Sequence, residues 1–152
     1  MPASPHVDEA GPELLVDLRL PPDISSPAVA RHALNPLEER FDEETLFKLR
    51  LMLTELVTNS IRHAELRDAD RIVVRVTWEP GSLRVEVLDA GRGPSAPAMI
   101  PAESGWEYQD AGELEPMGGW GLAMVETLAD SWGVTSNGGT TVWFEVAPGR
   151  AA

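Results

Sequence analysis

Two periods alternate along this chain, one of two residues and one of about 3.6, and they change over at turn signals. The two-residue period comes first. Glu13 to Leu20 sets Leu14, Val16, Leu18 and Leu20 on one face of a predicted strand, which Pro21 and Pro22 stop. A short helix is expected from about Ser26 to Leu34, with Ser25 or Ser26 as cap and Pro27 in its first turn. Asn35 and Pro36 break it. The helical period then dominates. Asp42 caps a long helix, Glu43 and Glu44 complement its dipole, and the pattern runs to about Leu66.

Alternation returns from Arg71 to Trp78, with Ile72, Val74, Val76 and Trp78 on one face. After a turn at Glu79, Pro80 and Gly81 it resumes from Ser82 to Asp89, with Leu83, Val85 and Val87 facing the same way. A last helix is expected from Leu122 to Ser131, with Leu122, Val125 and Leu128 in its stripe. A strand over Trp132 to Thr135 and a turn at residues 136–139 lead to a final strand, Thr140 to Val146, whose Thr140, Val142, Phe144 and Val146 share a face.

The length of 152 residues and an apolar share of 43% suit one globular domain. Its expected span is 13–147, between a Pro-rich acidic tail at 1–12, read as disordered, and a short tail at 148–152. Cysteine is absent, which excludes a disulfide framework and thiolate chemistry. No basic-plus-apolar leader and no run near the roughly 18 apolar residues of a membrane span are visible, so a cytoplasmic protein is expected. With 25 acidic against 12 basic residues the net charge is -13, which argues against nucleic acid or an anionic membrane as direct partner.

Three stretches depart from plain amphipathic patterning. In the long helix, Glu55, Asn59 and Arg62 fall within roughly 60° of one another, beside an apolar stripe of Leu49, Met52, Leu53, Leu56, Val57 and Ile61. Asn is disfavoured in helix interiors because its side chain competes for backbone hydrogen bonds, so this line is either an ordinary solvated stripe or a face shown to something other than plain solvent. Second, Asp89 continues the inward parity of its strand, and a carboxylate on a core face is costly unless something pairs with it. Third, Gly118, Gly119, Trp120 and Gly121 open the last helix, where exposed backbone N–H groups can cradle phosphates. Between the second and third stretches, residues 94–117 hold four prolines, several acids, Trp106 and Tyr108. A connection this long inside a small domain is uncommon and is usually a lid or disordered. Trp106 and Tyr108 either cover a ligand or pin the loop to the surface.

In their order and spacing, Glu55 to Ala64, Asp89 to Gly93 and Gly118 to Leu122 resemble the N-box and the two glycine boxes of the GHKL ATPase superfamily, over about residues 43–146. The resemblance implies an α+β fold, the two-layer Bergerat sandwich with a mixed, mostly antiparallel sheet and helices on one face. It implies ATP or ADP bound with Mg²⁺, and no P-loop motif competes with that reading. Asn59 would hold the metal and Glu55 would be the general base. Arg62 matches a basic position that often reaches phosphate, and His63 one read as packing and secondarily as ligand. Asp89 would take the adenine amine, with Gly91 and Gly93 letting the backbone approach the base and Thr140 beside the aspartate. Gly118, Gly119, Trp120, Gly121 and Leu122 would form the phosphate end.

A stand-alone domain without a phosphoacceptor helix looks like the anti-sigma-factor serine/threonine kinases of partner-switching systems. The partners implied are a sigma factor and a STAS-domain anti-anti-sigma factor; relatives often dimerise through the sheet side near the first strand and helix, and the sequence leaves open whether this chain does. No Lys or Arg occurs from Gly93 to Gly149, so the lid offers the γ-phosphate no cation. The alternative is therefore a catalytically weak or inactive, ATP-dependent binding switch of the same fold.

Overall fold

The computed structural model describes residues 11–91, 116–136 and 138–151. The element order is β1 (Glu13–Leu20), α1 (Ser26–His32), a 3-10 turn (Asn35–Glu39), α2 (Glu43–His63), β2 (Ile72–Glu79), β3 (Ser82–Asp89), α3 (Pro116–Leu128), β4 (Ser131–Ser136) and β5 (Thr140–Val146). The strands form one five-stranded sheet in the order β1-β2-β3-β5-β4. All four pairings are antiparallel, the limiting case of the mostly antiparallel sheet expected. No helix among the described residues is long and apolar enough to cross a membrane.

The inward faces of the strands match the alternation. Val16 and Leu20, Ile72, Val74 and Val76, Leu83, Val85 and Val87, and Val142, Phe144 and Val146 all lie in one core with the apolar stripe of α2 and with Leu122 and Val125 of α3. At the start of β1 the expected alternation fails. The β1–β2 register shifts between Leu14 and Val16, so Leu14 is 53% exposed and Leu15 packs on the core instead.

Local chemistry sets the helix ends. Asp42 accepts from the Thr45 N–H at 2.9 Å, so α2 starts where its cap was expected. It stops at His63, short of Leu66, because Glu65 turns to φ 51, outside helical space. α3 begins at Pro116 rather than Leu122, since proline presets the helical φ and needs no N–H partner there. The C-terminal residues are tied back onto the start of α2. Asp42 N–H donates to Gly149 O at 2.9 Å, Gly149 N–H to Thr45 Oγ1 at 2.8 Å, and Phe41 bridges Arg150.

Candidate functional site

Two elements converge at one end of the domain. α2 presses Leu49, Met52, Leu53, Leu56 and Val57 into the core, which fixes its rotation and carries Glu55, Asn59 and His63 along one edge. These positions are four residues apart and drift by only about 40° per step, so they stay in line. Arg62 and His63 close the last turn, where positive charge favours the helix dipole. β3 delivers Asp89 at its end, opposite Thr140, the first residue of β5. A hydroxyl joins the two elements: Ser60 Oγ on α2 donates to Asp89 Oδ2 at 2.7 Å.

Among the described residues, five buried side-chain polar atoms have no hydrogen-bond partner: Glu55 Oε2, Asn59 Oδ1, Asn59 Nδ2, His63 Nε2 and Asp89 Oδ1. An unmet buried donor or acceptor costs about 1–3 kcal/mol. All five belong to one helix line and to the strand end bonded to it, and Asn59 is fully buried with its whole amide unmet. Concentrating such cost in one place is what a preformed ligand site requires.

The charges are tuned by burial. Desolvation pushes the Asp89 carboxyl up, opposed by the Ser60 hydroxyl and the Gly91 N–H. Glu55 is also raised by burial, with the Arg62 guanidinium pulling the other way. His63 is lowered, first by burial and then by Arg62, so its imidazole is held neutral.

Backbone shape completes the Asp89 end of the site. Gly91 sits at φ 58, and a Cβ there would lie 2.6 Å from Thr140 Oγ1 and 2.8 Å from Thr140 N. Thr140 is 4% exposed. Gly93 lies outside the described residues, as does the expected lid save for Pro116 and Met117, which begin α3. Gly118, Gly119, Trp120 and Gly121 fall inside the first turns of α3 rather than ahead of it, and Leu122 is a core residue. A helix's first N–H groups have no partner within the helix, so this end keeps donors for an anion.

No group of three or more His, Cys, Asp or Glu side chains is placed to cage a metal among the described residues. Mg²⁺ does not need one, since it keeps waters and substrate phosphates and takes one or two protein oxygens. The unmet Asn59 Oδ1 fits that role. Sequence reasoning passed over Ser60, because nothing in the chain alone shows that its hydroxyl reaches a strand 29 residues away.

Residues 20–146 match the family model described as histidine kinase-like ATPase domain. The chain is similar to serine-protein kinase RsbW of Listeria monocytogenes, 28% identical over 118 residues, 76% of this chain and 75% of that protein. It is also similar to serine-protein kinase RsbW of Bacillus velezensis, 27% identical over 137 residues, 84% of this chain and 81% of that protein. RsbW of Bacillus pumilus is 26% identical over 133 residues.

Proposed function

This chain belongs to the histidine kinase-like ATPase domain family, and on that premise we propose that it is an ATP-binding anti-sigma factor that phosphorylates a serine or threonine of a STAS-domain partner. The family carries ATP binding. The cluster of unmet polar atoms on Glu55, Asn59, His63 and Asp89 supports placing the nucleotide between the end of α2 and the end of β3. The similarity to proteins named serine-protein kinase supports the choice of acceptor.

In this reading Asp89 Oδ1 accepts from the adenine exocyclic amine, with Gly91 and Thr140 shaping the backbone beside the ring. Asn59 Oδ1 would hold Mg²⁺, which when bound would supply positive charge to offset that of the phosphates. His63 lines the same edge of α2. Glu55 takes the proton from the partner's hydroxyl as that oxygen attacks the γ-phosphorus; the bond to the bridging oxygen breaks and ADP leaves. Burial that raises the Glu55 carboxyl makes it a better proton acceptor. Arg62 and the α3 N–H groups supply positive charge toward the phosphates. Leu14, Ile24 and Val29, exposed on β1, the turn after it and α1, support a homodimer through that side, and sedimentation velocity tests it.

A second reading, a nucleotide-dependent switch without useful transfer, is favoured by the absence of Lys and Arg from Gly93 to Gly149. Purified protein, labelled Mg·ATP and candidate STAS proteins separate the two. Glu55→Gln is expected to keep nucleotide affinity and lose roughly 10²–10⁴-fold in transfer, whereas Asn59→Ala loses Mg·ATP binding and transfer together. Transfer at the wild-type rate by Glu55→Gln removes the base. ATP binding by the wild type with no transfer to any STAS protein leaves the switch.

A further inference from the structure

The base end of the site contains one buried hydroxyl whose only visible task is to hold Asp89. Ser60 is 3% exposed, and its Oγ donates to Asp89 Oδ2 at 2.7 Å, while Asp89 Oδ1 is buried without a partner. We propose that Ser60 is a positioning residue that sets base specificity: by engaging Oδ2 it presents Oδ1 as an acceptor-only atom, selecting a purine with an exocyclic amine over one with a carbonyl at the same place. The proposal rests on the nucleotide reading above and extends it to how the base is chosen.

An ionised carboxylate can only accept hydrogen bonds, whereas a protonated one can donate. A hydroxyl committed to Oδ2 favours the ionised form. Burial works against it, the Gly91 N–H works with it, and no charged side chain enters the balance. Of the charged groups on α2, Glu55 and His63 answer to Arg62 rather than to Asp89. On β5, the residue facing Asp89 is the uncharged Thr140. Ser60 thus opposes the burial that pushes this half-buried acid toward its protonated form. Without its hydroxyl, only the Gly91 N–H still opposes burial at this carboxylate, protonation is favoured, and the new O–H can donate to a 6-oxo group. The same bond also fixes the span between Asn59, next to Ser60 in the chain, and Asp89.

The experiment measures Mg·ATP and Mg·ITP binding by calorimetry across the pH range in which the full chain stays folded. The wild type is expected to prefer ATP, with the preference narrowing as pH falls. Ser60→Ala is expected to lose about tenfold in ATP affinity, to gain on ITP relative to ATP, and to move the narrowing to higher pH. Ser60→Thr restores the hydroxyl and both properties. Ser60→Cys, with a weak donor in nearly the same volume, falls between, and with Ser60→Thr it carries the test if the alanine variant does not fold. Equal weakening of ATP and ITP with an unmoved pH profile overturns the proposal and leaves Ser60 merely structural. A wild type that binds no nucleotide at all overturns the nucleotide reading itself, and the role of Ser60 falls with it.

Discussion

Gly91→Ala tests whether the loop after β3 truly runs against the start of β5. Two costs add at this position. An L side chain at φ 58 pays about 1–2 kcal/mol for left-handed backbone. The new methyl would also lie 2.8 Å from Thr140 N, a backbone atom held by the β3–β5 ladder, and overpacking of this kind costs typically about 1–3 kcal/mol. Alanine returns about 0.4–1 kcal/mol by restricting the unfolded chain. The net expectation is a loss of about 3 kcal/mol, or a fall in Tm of roughly 6–12 °C for a chain of 152 residues. Gly81→Ala is the internal control. Its φ is 80 and a Cβ there meets nothing within 4 Å, so it keeps the backbone cost without the contact. Calorimetric and urea unfolding of both variants should place Gly91→Ala about 1–3 kcal/mol below Gly81→Ala, with ATP affinity reduced only in the former. Equal stabilities would refute the close approach, and with it the shape assigned to the base end.

Asp89→Asn and Glu55→Gln should each raise the stability of the nucleotide-free protein at neutral pH. Both carboxyls are raised by burial above ordinary values of 3.8 and 4.5, so their contribution is complete below those values and is lost as pH rises through the folded pKa. The gap from wild type should therefore close on acidification, and urea unfolding at several pH values checks it; variants less stable at neutral pH would contradict the assignment. Asp42→Ala removes the α2 cap and should cost about 1 kcal/mol, read in the same assay. Phe144→Ala, at a fully buried position, should cost about 3–5 kcal/mol, and a smaller loss would mean that the sheet and helices pack less tightly than described.

Much of this was legible in the chain because it depends on local patterning. The inward faces of β2, β3 and β5 follow from alternation alone, and Asp42 announces the start of α2 through its side chain. The polar line on α2 was visible as Glu55 and Asn59, although the unmet atoms continue it to His63 rather than to Arg62. What was not legible depends on partners far apart in sequence. Ser60 reaches across to Asp89, and the residues around Gly149, expected as a tail, find their partners at Asp42 and Thr45. The exposed Leu14 was missed for another reason: a register shift in an edge strand breaks alternation without changing composition.

The terminal rung of the β3–β5 ladder, Asp89 opposite Thr140, has a consequence for error. Were β5 to slip by one residue, Thr141 would face Asp89, and Val142, Phe144 and Val146 would turn to the outer face together. A mispaired molecule would lose its core in the same step that moves Thr140 away from Asp89. The sheet therefore proofreads the site: molecules folded but with this end displaced cannot accumulate through misregister, and length changes in the β4–β5 hairpin that shift this rung by a single residue should be lost as unfolded chains rather than survive as folded ones.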